Sequence, residues 1–169
     1  GTGSHALRLA LGAAEGPGFR ADVPLEVAGL HAGHYGERLP ASTDAVGLWW
    51  CPSGWKVSRM RGVPEEKGEA LSIAAARSEA DAAQLVLRPA KALRGLTVEA
   101  ADLAGPDGAG IPASALEVLK VRYVLVTRPT DAAGCVGWWP DPLPPLKAPL
   151  DLEAGRNQPL WVRVKVPEK

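Results

Sequence analysis

The sequence predicts an all-β domain, a two-sheet antiparallel β-sandwich of the Ig-like or jelly-roll-like kind. Roughly eight to ten short segments alternate apolar and polar residues, which is the period of a strand with one buried face. The 16 prolines and 19 glycines separate these segments, and no stretch shows a convincing helical period. Because 46% of the 169 residues are apolar, the chain can bury a substantial core.

The N-terminal part predicts two strands and a loop. Residues 6–11 and 23–30 show the alternation of strands, and residues 29–44 are rich in glycine, proline and small polar side chains, as loops are. Residues 1–5 have no initiator methionine and resemble a vector remnant, so they are left out of the predicted fold. The strands and loop of residues 6–45 have no clear assignment.

The sandwich is expected in residues 46–169, and residues 6–169 together are expected to form one domain. Its strands are predicted at seven places, namely residues 46–50, 55–60, 71–73, 80–88, 96–101, 115–127 and 160–166. Residues 115–127 are rich in β-branched side chains and predict a central strand broken by a bulge. Prolines cannot donate to a ladder, so the proline-rich residues 128–149 predict an extended crossover along an end or edge of the sandwich.

Charge and hydropathy exclude two classes of partner. The chain has 19 Lys plus Arg and 19 Asp plus Glu, so its formal net charge is zero. Nucleic acids and anionic membranes both favour a basic surface. No apolar run reaches the roughly 20 residues of a spanning helix, and the first residues do not resemble a signal peptide. We therefore expect neither nucleic acid nor membrane as a partner.

The two cysteines are far apart in sequence. Cys51 and Cys135 lack the spacing of metal ligands, so no zinc site is expected. Two alternatives remain open, a disulfide in an exported protein or two unrelated buried thiols.

The sequence assigns no catalytic residue. A catalytic triad needs a histidine, and the chain has only His5, His31 and His34. His31 and His34 are three residues apart, but they lie in a glycine-rich loop, where solvated side chains are expected instead of a metal site.

Acidic residues give two further candidates. The pairs Glu65-Glu66 and Asp102 with Asp107 have the residue type of glycosidase carboxylates, but they lie in turns, where acids normally face water. Asp102 and Asp107 are also the candidates for a structural calcium. No other cofactor and no other metal is expected.

Tryptophan gives the strongest functional indication, with six residues against one phenylalanine and two tyrosines. Indole rings stack on apolar faces of ligands and anchor protein interfaces. Adjacent residues of a strand face opposite ways, so each Trp-Trp pair is expected to direct one indole inward and one outward. The candidates for a carbohydrate-binding surface or a domain interface are Trp49, Trp50, Trp55, Trp138 and Trp139.

Several separate motifs resemble those of one family. They are Trp49-Trp50 with Lys56-Val57, LSIAAARSE at 71–79, QLVL at 84–87, VRYV at 121–124, Gly137 with PDPLP at 140–144, and AGRNQPLWV at 154–162. In this order and spacing, residues 46–167 resemble the N-terminal β-sandwich domain of glycoside hydrolase family 123 and its relatives.

The resemblance implies that a (β/α)8 barrel follows this domain in the parent protein. In that family the barrel carries an adjacent Asp-Glu pair and hydrolyses N-acetylgalactosaminides with help from the substrate's acetamido group. The resemblance therefore implies no catalytic residue in this chain, and Asp141 of the PDPLP motif is not implied as a catalytic acid. A secreted or cell-envelope parent is implied as well.

The motif residues also have structural interpretations. Arg77 and Glu79 are two apart, so on a strand they would share a face and pair or hold a loop. Gln84 stands beside an apolar run and is expected to satisfy backbone groups. Asn157 begins the turn into the last strand.

The sequence leaves three functions open. The leading one is a non-catalytic accessory domain of a glycoside hydrolase, which braces the adjacent barrel and is not an enzyme on its own. The second is a carbohydrate-binding module that uses exposed tryptophans to bind a glycan. The third is a structural, Ig-like surface domain without a role in sugar binding.

Overall fold

The structure, a computed structural model, describes residues 3–11, 18–27, 30, 32–130 and 134–168. Over these residues the fold is all-β with two short 3-10 turns, which confirms the predicted class. No helix in this part of the chain has the length and apolarity to cross a membrane. The strands are β1 (Gly3–Leu11), β2 (Phe19–Val27), β3 (Glu37–Arg38), β4 (Val46–Pro52), β5 (Ala80–Pro89), β6 (Leu93–Leu96), β7 (Leu103–Ala104), β8 (Gly110–Ile111), β9 (Leu116–Lys120), β10 (Tyr123–Val126), β11 (Gly137–Pro140), β12 (Leu150–Leu152) and β13 (Gln158–Lys165).

A five-stranded antiparallel sheet in the order β3-β4-β5-β13-β9 forms the centre of the fold. Its middle strands pair over long distances in sequence, with Trp49 opposite Val86 and Leu85 opposite Leu160. The apolar alternation of β4, β5 and β13 predicted these three strands, because each has at least one face that is buried.

Apolar side chains cover the central sheet on both faces. On one face, Trp49, Cys51 and Val86 pack with Tyr35 and Val57. On the other face, Leu160 packs against Leu150 and Leu152 of the two-stranded sheet that β12 forms with β6. The β6–β12 pair is therefore the second layer of the sandwich.

The proline-rich segment runs along the outer edge of β9. Backbone N–H groups of Lys120 and Arg122 donate to the carbonyls of Pro144 (3.1 Å) and Pro142 (2.9 Å), and the N–H of Asp141 donates back to Arg122 (3.1 Å). Pro142 and Pro144 each accept a hydrogen bond through the carbonyl and are not required to donate one. The prediction of an extended segment along an edge agrees with this arrangement, although β11 within it pairs with β10.

The N-terminal strands form a separate hairpin, with β1 and β2 antiparallel from Gly3 opposite Val27 to Leu11 opposite Phe19. The predicted strands at 6–11 and 23–30 correspond to β1 and β2, but β2 starts at Phe19 and ends at Val27. The turn that joins them and His31 lie outside the described residues.

Two predicted strands are wrong. Residues 55–60 alternate, but they pair with no strand, and the run is broken by a turn at Ser58 to Arg61. Residues 71–73 belong to no strand, and Ser78 after this segment has a positive φ of 63°. The alternation of apolar and polar residues was misleading at both places, because a strand also needs the edge of a neighbouring strand to hydrogen-bond with.

Two other strands differ in extent. The strand predicted at 96–101 is wrong over residues 97–101, because β6 spans Leu93–Leu96 and shares only Leu96 with it. The long strand predicted at 115–127 is divided into β9 and β10, and β9 pairs with β13 at one end of the central sheet's order instead of at its centre. The interruption falls at Val121 and Arg122, where the backbone turns from one partner to the next.

Candidate functional site

The candidate tryptophans occupy different environments. Trp49 and Trp50 are both buried, in contrast to the expectation that one of the pair faces outward, because β4 is covered on both faces. The Trp50 indole Nε1 donates to Glu37 at 3.2 Å. On β11, Trp138 is 45% exposed, whereas Trp139 is half-buried and its Nε1 donates to the Cys135 carbonyl at 2.7 Å.

Trp55 belongs to an aromatic cluster in the core. Its ring stacks on Tyr35 with centroids 4.2 Å apart and planes 7° from parallel, and His34 meets it edge-on at 5.3 Å. The Arg61 guanidinium lies over Tyr35 at 3.9 Å and over Trp49 at 4.8 Å from the ring centroids. The buried Trp49 and the partly buried Trp55 are thus brought together around Tyr35, and they do not form a surface platform with Trp138.

A surface cavity of about 380 Å³ lies beside Trp138. Side chains from five separate segments of the chain line it. They are Arg59, Lys120, Val121, Arg122, Tyr123, Trp138, Asp151, Leu152, Glu153, Arg156, Asn157 and Gln158.

Asn157 fixes the wall that carries Arg59. Its backbone N–H donates to the Arg59 carbonyl at 2.9 Å, and its side-chain Nδ2 donates to the carbonyls of Ser58 and Arg61, both at 2.8 Å. Three bonds from one residue hold the 58–61 turn against the start of β13. Asn157 therefore has the role expected from the sequence, at the turn into the last strand, and it also positions the cavity wall that carries Arg59.

Tyr123 and Trp138 form the aromatic wall. The Tyr123 hydroxyl donates to the Val57 carbonyl at 3.0 Å, and burial raises the pKa of this phenol well above its ordinary value. The Arg59 guanidinium lies 5.1 Å from the Trp138 centroid and 5.9 Å from that of Tyr123. Because nearly half of Trp138 stays exposed, indole surface remains open beside Arg59.

The two carboxylates of the cavity are both engaged by arginines. Glu153 pairs with Arg59 at 2.6 Å, and Asp151 pairs with Arg94 at 2.5 Å. The hydrogen bond from Arg94 and that from the Gly95 N–H hold the pKa of Asp151 below its ordinary value. Both acids therefore serve as counterions of arginines.

The structure also locates the other motif residues. Gln84 is 2% exposed, and its Nε2 donates to the Trp55 carbonyl at 2.7 Å, which is the backbone role that the sequence predicted. Asp141 is exposed in the proline-rich segment. Arg77 and Glu79 do not share a strand face, because Ser78 between them turns the chain; the Glu79 carboxylate accepts from the Ala76 N–H at 2.7 Å instead.

The acidic candidates of the sequence lie in turns. Glu65 and Glu66 are exposed on a groove of about 710 Å³ that His34 also lines. Asp102 accepts a hydrogen bond from the Ala113 N–H at 2.7 Å, and Asp107 lies in a 3-10 turn with a φ of 55°.

Cys51 is a buried thiol, and the structure contains no disulfide between it and Cys135. Burial raises the pKa of Cys51 to about 12 from an ordinary value of 9.0, so its thiolate fraction near neutral pH is about a thousandfold lower. In a Cys135→Ser variant we expect a thiol reagent at about pH 8 to label Cys51 at least a hundredfold more slowly than an ordinary thiol. Urea should restore the ordinary rate, whereas rapid labelling in native buffer would contradict the buried position.

Sequence reasoning missed the cations of the cavity. Arg59 and Arg156 are far apart in sequence and belong to no spacing motif. Lys120 and Arg122 gave the only available signal, because two charges two residues apart on one face of an apolar, β-branched run indicate an exposed face.

Comparisons with known proteins identify the family. Residues 56–169, more than half of the chain, match the family profile described as glycoside hydrolase 123 N-terminal domain. Among solved structures, the chain is similar to a family 123 glycoside hydrolase from Clostridium perfringens, studied for the details of glycolipid glycan hydrolysis, with 14% identity and a TM-score of 0.48. This similarity covers 55% of this chain and 16% of that chain. No curated protein matches the chain significantly. The profile match confirms the resemblance found in the sequence, and the chain belongs to the glycoside hydrolase 123 N-terminal domain family.

Proposed function

We propose that this domain is a non-catalytic accessory domain that braces the catalytic barrel of a glycoside hydrolase. The observation that carries this proposal is the concentration of exposed apolar side chains around β10 and β11. Within the described part of the chain, five of the eight large apolar side chains that are exposed lie in residues 124–143. They are Val124, Leu125, Val136, Trp138 and Leu143.

Such a concentration supports an interface with another domain. Leu125 and Trp138 face each other across the β10–β11 pair, so their side chains form one continuous apolar surface. Scattered exposed apolar residues need no explanation, but a contiguous apolar surface is typical of a contact site. In a domain whose family is named for its N-terminal place in a glycoside hydrolase, the catalytic domain is the occupant that we propose.

The state of the carboxylates supports the non-catalytic role. A glycosidase needs one carboxyl group whose pKa is raised, so that it can donate a proton near neutral pH. Asp151 has the opposite shift, since its pKa is lowered by Arg94 and Gly95, and Glu153 is paired with Arg59.

The proposal includes an exported or cell-envelope parent protein. Cell fractionation of the source organism would test this location.

The bracing role is tested by Leu125→Ser in the full-length glycoside hydrolase that contains this domain. We expect the catalytic domain to unfold roughly 2–4 °C lower, because about 1 kcal/mol of apolar contact is lost from the interface. The matched control is Leu103→Ser, which replaces a leucine of similar exposure, 43% against 49%, on the β7–β8 hairpin. Equal unfolding temperatures for both variants and the parent, measured by calorimetry, would exclude this surface as the brace.

A second candidate function, glycan binding, is favoured by one specific observation. Trp138 is the most exposed of the candidate tryptophans that we located, and it borders a cavity with many polar groups. An open indole next to hydrogen-bonding side chains is a common arrangement in small-ligand sites.

A further inference from the structure

We propose that the cavity beside Trp138 binds an anionic sugar, a hexose unit that carries a carboxylate or a sulfate group. This inference rests on the glycan-binding function proposed for the same cavity, and it adds the chemical class of the ligand. It shares Trp138 with the apolar surface proposed for the brace, so it concerns the domain when the catalytic domain does not cover that indole.

Charge is the first argument for an anionic ligand. The cavity is lined by four cationic residues, Arg59, Lys120, Arg122 and Arg156, and by two acids, Asp151 and Glu153. Both acids already have arginine partners, one of them from outside the lining. The chain as a whole has a formal net charge of zero, so this local excess of positive charge is a property of the cavity.

Three of these cations have no acidic partner in the described part of the chain, namely Lys120, Arg122 and Arg156. Arg156 contacts the sulfur of Met60, which is a neutral group. An arginine that is held near a cavity without a carboxylate can offer its paired N–H groups to a planar or tetrahedral anion. These three residues are therefore the proposed anion binders.

Asn157 supplies the second, independent argument. The residue is 2% exposed and lines the cavity, and its Oδ1 is buried without a hydrogen-bond partner among the described residues. The orientation of the amide is fixed, because Nδ2 donates to two carbonyls that Oδ1 could not satisfy. A buried acceptor without a partner has an energetic cost, which a ligand hydroxyl would remove once a small movement of the wall opens Oδ1 to the cavity.

Shape and aromatic surface favour a sugar over a simple anion. The volume of about 380 Å³ is at the lower end of the range for small-ligand sites, which suits one or two sugar rings better than a long chain. The exposed part of Trp138 offers an apolar surface to the C–H face of a pyranose, while Tyr123 closes the wall beside it. An inorganic anion would use the cations and leave the indole without a contact.

The test is a titration of the 169-residue chain, monitored by tryptophan fluorescence and by calorimetry. The probes are glucuronic acid against glucose for the carboxylate, galactose 6-sulfate against galactose for the sulfate, and inorganic sulfate alone. We expect at least one acidic sugar to bind saturably and at least tenfold more tightly than its neutral counterpart and than inorganic sulfate. Raising NaCl from about 0.05 to about 0.5 M should weaken this binding, because partly exposed charges are screened.

Three variants locate the binding. Arg156→Gln should weaken it about tenfold, and Trp138→Ala should weaken it by a similar factor. Arg128→Gln, which changes an exposed arginine outside the lining, should leave the affinity unchanged. Circular dichroism should show that all three variants are folded.

Each contrary result has a distinct meaning. Equal binding of acidic and neutral sugars would overturn the anionic inference and leave glycan binding in place. Sulfate that binds as tightly as the acidic sugars would overturn the sugar part of the inference. No binding of any sugar at about 10 mM would overturn both the inference and the glycan-binding candidate. Binding that is unaffected by Arg156→Gln and Trp138→Ala would exclude this cavity.

Discussion

Trp49→Ala is expected to destabilise the domain by about 3–5 kcal/mol, a large part of the stability of a typical single domain. The side chain is fully buried in the cluster with Tyr35, Cys51 and Val86, so its removal leaves a cavity at the centre of one face of the sheet. The Trp49 Nε1 has no hydrogen-bond partner among the described residues, and losing this donor offsets a minor part of the effect. Urea unfolding followed by far-ultraviolet circular dichroism measures the change.

The chain offers its own control for this substitution. Trp138→Ala removes the same side chain from a site that is 45% exposed, so we expect a loss of about 1–2 kcal/mol, well below that of Trp49→Ala. The two variants should therefore separate stability from binding, with Trp49→Ala unfolding at much lower urea. Similar midpoints for the two variants, at unchanged m-values, would contradict the position of Trp49 in the core.

Gly36→Ala is expected to cost about 2–5 kcal/mol for two reasons that add. Gly36 has a φ of +83°, which an alanine adopts only with strain. A Cβ there would also stand 2.8 Å from Trp49 Cζ3 and 2.9 Å from the Trp50 carbonyl oxygen. The indole is fully buried and the carbonyl is backbone, so neither can move aside without disturbing β4.

Gly62→Ala is the matched control for Gly36→Ala. No atom lies within 4 Å of a Cβ built at Gly62, and its φ is outside the left-handed region. We expect this variant to be as stable as the parent or slightly more stable, because alanine reduces the freedom of the unfolded chain. A tolerated Gly36→Ala would show that the 34–36 segment does not pack on Trp49 as described.

The strands that could be predicted are those in which apolar and polar residues alternate and the apolar face is buried. Three predicted strands became strands of the central sheet, those at residues 46–50, 80–88 and 160–166. Apolar side chains at every second position lie on one face of a strand, and that face must be covered by other residues. Residues 55–60 show the same alternation, but Asn157 and Gln84 bind their carbonyls and hold them as turns. Such side-chain bonds act over long distances in sequence and leave no local signal.

The candidate cavity could be predicted only in part. Trp138 was one of five candidates because tryptophan is in excess and each Trp-Trp pair was expected to direct one indole outward, whereas Arg59 and Arg156 gave no signal on their own. These residues meet because β13 pairs with β9 and because Asn157 ties the 58–61 turn to the start of β13. The register of distant strands decides which charges become neighbours, and it is not encoded in any short motif.

The prolines beside β9 have a consequence for how this domain can associate. An unpaired strand edge is a template for other chains, and natural proteins block such edges to avoid aggregation. Here the C-terminal end of β9 is already bonded to the proline-rich segment, through the Lys120 N–H and the Pro144 carbonyl, and the opposite edge of the sheet is the two-residue strand β3. A partner is therefore not expected to extend the central sheet by strand addition, and recognition must depend on side chains, which can be changed one at a time.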